Sequence, residues 1–237
     1  MHSNLKISLD RADELLKELM TEYEKCLKAK EVSGRATQLT HEVCERLRSV
    51  LDRAAYLYWD QKVSPELTEE DRQRATIYFP IADKQNGFDS TLGRWRWQKI
   101  RNKHEPIYDF LLALQPFTSS SNRWLAVLAD LANQGKHIDL VPQKRIEDRR
   151  ITVERQGGGA VSWNSGVQFG RGVSVMGAPI DPTTQRIVPT PGVTEKIETW
   201  VSFLIQEHNV NAAGFCKEAC DKVRRIIVEM SERCALS

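Results

Sequence analysis

The chain has 237 residues, of which 41% are hydrophobic, 8% aromatic and 28% charged. This composition excludes a globally disordered chain, a collagen-like chain and a membrane bundle. Lys and Arg number 34 and Asp and Glu 32, so the formal net charge is only +2. Any attraction for nucleic acid would therefore have to come from a local basic patch.

The first residues, Met1 to Asn4, are polar and lack the apolar core of a signal peptide. No apolar run approaches the roughly 20 residues that a membrane span needs. The five cysteines are an odd number and do not suggest a disulfide framework. We therefore expect a cytoplasmic protein with reduced thiols and no membrane partner.

Apolar residues recur at helical spacing through the first 135 residues. Ser33-Gly34 separates two long periodic segments, which predicts an antiparallel helix pair. Pro106 should split the helix predicted at 90–114 near His104, because proline cannot continue the helical hydrogen bonding. In chain order, the pattern predicts helices at residues 8–30 with Ser8 as cap, 35–62, 64–74, 90–114 and 120–135, and an extended segment at 76–81.

The pattern changes after residue 138, where short β-branched runs alternate with glycine and proline. These runs predict strands at 151–153, 160–163, 167–169, 173–176 and 198–205. A final helix at 211–234 carries an apolar face that the helical bundle can bury. We expect a mainly α fold with a β insertion (α+β), divided into a bundle core at 1–137, a small antiparallel β region at 138–208 and a returning helix at 209–237.

The first candidate site is the sequence Asn133-Gln134-Gly135-Lys136-His137 at the end of the helix predicted at 120–135. Asn133 and His137 are four residues apart and would share one helix face. The imidazole of His137 can exchange a proton near neutral pH, and Lys136 could stabilise a phosphate. The structural alternative is that cations favour the C-terminal end of a helix dipole.

The second candidate is the pair Arg48 and Asp52 on the second helix, within the sequence LRSVLD. A structural reading makes the two an ion pair on one helix. A functional reading places Arg48 opposite His137, where its guanidinium would hold a phosphate and Asp52 would orient either Arg48 or His137.

The third candidate is the basic run at 93–106, in which tryptophans interleave with cations. On a continuous helix one stripe would hold Arg94, Trp97, Arg101 and His104. Such a stripe could bind single-stranded nucleic acid through phosphate contacts and base stacking. The structural alternative makes the tryptophans core residues and the cations a solvated face.

The sequence gives no indication of a cofactor or a metal. Cys216 and Cys220 are one helical turn apart, but no second Cys or His pair has zinc spacing. The Walker phosphate loop, the Rossmann fingerprint and the nucleophile elbow are all absent from the sequence.

Several short motifs resemble a group of uncharacterised bacterial helical proteins. They are LRSVLD (47–52), FPI (79–81), QPF (115–117) and the spacing that ends in Asn133 and Lys136-His137, covering about residues 40–145. More distantly, Asn133 and His137 resemble part of the HEPN motif, in which an arginine precedes the polar residue. Here Ala132 stands at the arginine position, so the motif is incomplete.

The resemblance implies a HEPN-like helical bundle, a homodimer, and RNA binding or metal-independent RNA cleavage in a bacterial defence or toxin–antitoxin system. In that chemistry His137 would move a proton, Asn133 would orient the phosphate, and Arg48 or Lys136 would stabilise the developing charge. Ala132 favours an alternative, a catalytically inactive scaffold that binds a partner protein or a nucleotide. A small-molecule hydrolase or binder with the β insertion as a lid is a third hypothesis.

Overall fold

A computed structural model of the protein describes residues 2–97, 103–134 and 143–234. The fold is mainly α with small antiparallel strand pairings before a C-terminal helix, which confirms the expected α+β class. Among the sequence candidates, Arg101, Lys136 and His137 lie outside the described residues. No described helix combines the length and apolar character that a bilayer crossing requires.

The helices begin and end where local chemistry favours it. Ser33 caps the second helix by accepting a hydrogen bond from the Ala36 backbone N–H. Lys30 adopts a left-handed conformation that ends the first helix. The helices are α1 (Ser3–Ala29), α2 (Gly34–Tyr58), α3 (Glu69–Gln73), α4 (Gln85–Arg94), α5 (Glu105–Ala113), α6 (Arg123–Gln134) and α7 (Ala212–Cys234).

Helices α1 and α2 form the expected antiparallel pair. Ser33 of the connecting turn contacts Glu22, and Arg53 near the end of α2 contacts Ser8 near the start of α1. Helix α7 packs against both, so its apolar face is buried by the bundle. Residues of α1, α2, α5, α6 and α7 share one hydrophobic core.

The helix predicted at 90–114 is split, as Pro106 indicated. Helix α4 ends at Arg94, and Pro106 occupies the first turn of α5. Residues 76–81 form an extended segment without strand pairing, as predicted. Helix α2 continues as a π-helical turn at Trp59–Val63, where the Trp59 Nε1–H donates to the Trp95 carbonyl at 2.8 Å.

The described residues fall into two compact units, with boundaries at Lys144/Arg145 and Phe203/Leu204. Residues 145–203 have a core of their own around Ile151, Val153, Trp163 and Ile180. The strands are β1 (Gln143–Arg155), β2 (Ala160–Asn164), β3 (Ser174–Val175), β4 (Ala178–Asp181), β5 (Arg186–Ile187), β6 (Val193–Ile205) and β7 (Val210–Asn211).

One sheet has the strand order β2-β1-β6-β7 and a second has β3-β4-β5. The pairings β1–β2, β3–β4, β4–β5 and β6–β7 are antiparallel. The strand prediction at 167–169 was wrong, because this segment is a loop whose Phe169 packs edge-on against Trp163. Strands β4, β5 and β7 were not predicted.

Candidate functional site: a cavity between α1 and α2

Arg48 and Asp52 form an ion pair on α2, with Arg48 Nη2 and Asp52 Oδ1 at 3.0 Å. Both also hold the backbone of Phe79. Arg48 Nη2 donates to the Phe79 carbonyl at 3.0 Å, and the Phe79 N–H donates to Asp52 Oδ1 at 2.8 Å. The pair thus has a structural role, which is to fix the extended segment 76–81 against α2.

The other terminal nitrogen of Arg48, Nη1, is buried and has no hydrogen-bond partner among the described residues. Burial lowers the pKa of the Arg48 guanidinium, and the Asp52 carboxylate opposes part of that effect. An arginine keeps its charge at any physiological pH. Arg48 therefore presents an unsatisfied cationic donor, a group that favours an oxyanion.

Arg48 lies in the wall of a cavity of about 770 Å³. Most of the cavity wall comes from α1 and α2, with Ala132 of α6 as a further contributor. Ile7 and Tyr56 are 66% and 50% exposed, so they lie where solvent reaches the cavity. The lining residues are His2, Asn4, Leu5, Ile7, Ser8, Glu45, Arg48, Ser49, Asp52, Arg53, Tyr56, Leu57 and Ala132.

A second arginine of the wall, Arg53, is fixed by hydrogen bonds to α1. Arg53 Nη1 donates to Ser8 Oγ at 2.7 Å, and Ser8 Oγ donates to the Asn4 carbonyl at 2.9 Å. Sequence reasoning missed Arg53 and the N-terminal residues of the wall. Arg53 directly follows the LRSVLD motif, and this position in the sequence could have marked it as a candidate site residue.

The expected meeting of Arg48 with His137 involves a residue outside the described part of the chain, so it stays a prediction. Asn133 is described and exposed. Its neighbour Ala132 is 1% exposed and lines the cavity. The structure therefore brings Arg48, Asp52 and Ala132 to one cavity.

The basic run does not form the expected stripe in its described part. Arg94 is exposed, but Trp97 is 1% exposed and His104 only 9%. Trp97 stacks on His104 with 6.0 Å between ring centroids and meets Trp95 edge-on. The assignment of Trp97 and His104 to base stacking is therefore corrected, since in this structure their rings contact protein.

His104 belongs to a buried polar cluster at the end of α2. Its Nδ1 shares a 2.6 Å hydrogen bond with the Tyr58 hydroxyl, and its Nε2 lies 3.9 Å from Glu66 Oε1. Glu66 also pairs with Lys103 at 2.7 Å. Burial is the main cause that lowers the pKa of His104, and Glu66 opposes it.

The described cysteines behave as small core residues. Cys26, Cys44, Cys216 and Cys220 are buried free thiols. Burial is the main cause that raises the pKa of Cys220 to about 12, which removes thiolate reactivity near neutral pH. Within residues 2–97, 103–134 and 143–234, no group of three His, Cys, Asp or Glu side chains could hold a metal ion.

No protein-family model, no curated protein and no solved structure matches the chain.

Proposed function

We propose that the protein is a HEPN-like module that binds a nucleotide in the α1–α2 cavity, with the phosphate at Arg48. The observation that carries this proposal is that Arg48, a residue of the cavity wall, has a buried Nη1 without a partner among the described residues. A buried donor without an acceptor costs about 1–3 kcal/mol. A phosphate oxygen would satisfy it with a charge-assisted hydrogen bond.

The size and lining of the cavity support a nucleotide. Its volume of about 770 Å³ falls within the roughly 300–1,000 Å³ that small-molecule sites occupy. Leu5, Ile7 and Leu57 give it an apolar wall, and the ring of Tyr56 could pack against a base. Arg53 and Ser49 add hydrogen-bond donors for a ribose or a second phosphate oxygen.

The buried aromatics of the basic run also favour a nucleotide over a long RNA. Base stacking on Trp97 would require the ring to leave a position in which it is 1% exposed. Arg48 contacts Phe79 and Asp52 through Nη2, and its buried Nη1 has no partner among the described residues. A single phosphate needs no more than this, so we infer the scaffold function ahead of RNA cleavage.

The test is calorimetric titration of the full chain with adenosine 5′-monophosphate. We expect saturable binding that weakens at least tenfold in Arg48→Met, since one lost charge-assisted bond contributes about 1.5–3 kcal/mol. Ser49→Phe should also weaken binding, because the added ring fills the cavity without removing a charge. Arg46→Met is the matched control, because Arg46 is on the same helix but lines only a neighbouring hollow, and this variant should bind as the wild type does.

Two results would reject the proposal. One is the absence of binding at millimolar nucleotide by a wild-type chain that unfolds cooperatively. The other is an equal loss of affinity in Arg46→Met and Arg48→Met, which would indicate general electrostatic attraction.

RNA cleavage is the second candidate, favoured by one observation. Ala132 lines the cavity and directly precedes Asn133, and His137 is four residues beyond Asn133. If His137 reaches the cavity, RNA would be cleaved by the wild type and left intact by His137→Ala. The same reading expects a homodimer, which sedimentation would detect. An intact RNA substrate with both proteins would leave nucleotide binding as the function.

A further inference from the structure

Glu45 is a half-buried carboxylate in the wall of the α1–α2 cavity, three residues before Arg48 on α2. Its side chain has no hydrogen-bond or ion-pair partner in the part of the chain that the structure describes. The other two carboxylates of α2 are paired. Asp52 lies 3.0 Å from Arg48, and Glu42 lies 3.4 Å from Arg35. Among the described residues, Glu45 therefore brings a negative charge to the wall that no ion pair offsets.

The formal charges of the described cavity wall sum to about zero when His2 is neutral. The lining contains two arginines, Arg48 and Arg53, and two carboxylates, Glu45 and Asp52. Because Arg48 already pairs with Asp52, Arg53 is the cation that remains against Glu45 in the described lining. A phosphate group at Arg48 can be held by these arginines. Each further phosphate adds negative charge that this lining does not compensate.

The α2 residues of the wall form one stripe along the helix, because they recur at spacings of three and four. At a rise of about 1.5 Å per residue, Tyr56 lies about 12 Å beyond Arg48 along the helix axis, and Glu45 lies about 4.5 Å from Arg48 in the opposite direction. The proposed nucleotide has its base at Tyr56 and its phosphate at Arg48. A second or third phosphate would therefore extend towards Glu45. The stripe consists of residues 45, 48, 49, 52, 53, 56 and 57.

The neighbouring hollow that Glu45 also lines does not favour a longer phosphate chain. Its lining contains a second carboxylate, Glu42, together with Arg11 and Arg46. Arg11 already pairs with Glu14 at 2.9 Å. A phosphate that passed Glu45 would thus meet another carboxylate and an arginine that is already paired.

We infer that Glu45 makes the α1–α2 cavity selective for nucleoside monophosphates over nucleoside di- and triphosphates. The carboxylate repels a phosphate chain that extends past Arg48, and salt screens this repulsion less at a half-buried position than on the open surface. A monophosphate is repelled less, because its charge stays at Arg48. This inference rests on the proposed nucleotide binding and adds to it a residue that determines which nucleotides bind.

The test is calorimetric titration of the full chain with adenosine 5′-monophosphate, 5′-diphosphate and 5′-triphosphate. The ionic strength is held constant and divalent cations are left out, so that each ligand keeps its own charge. We expect the affinity to fall with each added phosphate, and the triphosphate to bind at least about tenfold more weakly than the monophosphate. The ratio of these two dissociation constants is the decisive quantity, since a general loss of binding capacity alters both constants together.

The matched pair of variants is Glu45→Gln and Glu42→Gln. Glu45→Gln keeps the size of the side chain and removes its charge, so the ratio should fall to about threefold or less. Glu42 is almost one helical turn further from Arg48, pairs with Arg35 and lines only the neighbouring hollow. Glu42→Gln should therefore change the ratio less than about twofold.

A triphosphate that binds the wild type as tightly as the monophosphate does would overturn the selectivity and leave nucleotide binding in place. A ratio that Glu45→Gln does not change, or that both variants change equally, would overturn the role of Glu45. If none of the three nucleotides binds, the proposed function fails and this inference fails with it. The monophosphate titration alone thus distinguishes the two failures.

Discussion

The contact of Arg48 and Asp52 with Phe79 should make a large contribution to stability, which a double-mutant cycle can measure. The two side chains are 19% and 25% exposed, so water screens their attraction less than it screens a surface pair. Asp52→Ala removes the acceptor of the Phe79 N–H and leaves Arg48 without its counter-charge. We expect each of Asp52→Ala and Arg48→Met to lower the free energy of unfolding by about 2–4 kcal/mol.

The coupling energy between the two substitutions tests this contact more directly than either single loss of stability. Because the two residues pair with each other and both bond the backbone of Phe79, the double variant should lose less than the sum of the single losses, with a coupling of about 1–3 kcal/mol. Urea unfolding monitored by tryptophan fluorescence gives the four free energies. The control pair is Glu70 on α3 and Arg74 directly after this helix; the side chains of Arg74 and Glu70 are 66% and 70% exposed and should couple by about 0.5 kcal/mol or less.

A coupling at Arg48–Asp52 no larger than at the control pair would refute the reasoning. It would mean that segment 76–81 is held by its apolar contacts, such as the buried ring of Phe79. The role of the arginine would then have to be sought in ligand binding alone.

Two further predictions concern buried polar side chains. Gln115 is fully buried and forms hydrogen bonds with the Pro80 and Leu111 carbonyls and the Ala82 N–H at 2.8–3.0 Å. Gln115→Leu should therefore lower the free energy of unfolding by about 2–4 kcal/mol in urea titrations. As a control, Gln38→Leu at an exposed position should not change this free energy measurably. Burial lowers the pKa of His104 from its ordinary 6.5, so the unfolded chain binds the proton more readily and stability should fall as the pH drops from about 7 to about 5. His104→Gln should remove that part of the pH dependence, and equal slopes for the two proteins in pH-dependent urea unfolding would contradict the assignment.

The sequence predicted elements that local chemistry determines. The α2 helix, the break at Ser33-Gly34 and the split at Pro106 follow from residues close in the chain. The first helix begins at Ser3 rather than at the expected Ser8 cap, because His2 caps it and Ser8 Oγ instead donates back to the Asn4 carbonyl. Strands β5 and β7, which were not predicted, have two residues each, too few for an alternating pattern to show in the sequence.

The aromatic part of the basic run shows how one local event changes a whole prediction. The expected stripe assumed a continuous helix through residues 94–104. Helix α4 ends at Arg94, and Arg96 has a left-handed φ of 63°. The chain therefore turns, and Trp95 and Trp97 both become buried although they are two residues apart.

The candidate site was predictable only as far as its local part. Arg48 and Asp52 are one helical turn apart, so their pairing follows from spacing. Their shared partner, Phe79, is 27 residues beyond Asp52, and the α1 residues that line the cavity are 40 residues or more before Asp52. Such contacts depend on tertiary packing, which periodicity does not encode.

The alanine at position 132 offers a direct test of whether the α1–α2 cavity is open in solution. Ala132 is 1% exposed, yet it lines the cavity, so a larger apolar side chain should extend into free volume. Ala54 on α2 is 0% exposed and does not line it. We expect Ala54→Leu to lower the free energy of unfolding by about 1–3 kcal/mol through overpacking.

Ala132→Leu should cost less than about 1 kcal/mol by the same urea assay, because its added methyl groups meet a void rather than packed atoms. It should also weaken binding of adenosine 5′-monophosphate, since the side chain occupies ligand space. Equal destabilisation by the two substitutions would show that the cavity is closed in solution. In that case the unpartnered nitrogen of Arg48 would face packed protein, and the argument for a ligand at α1–α2 would fail.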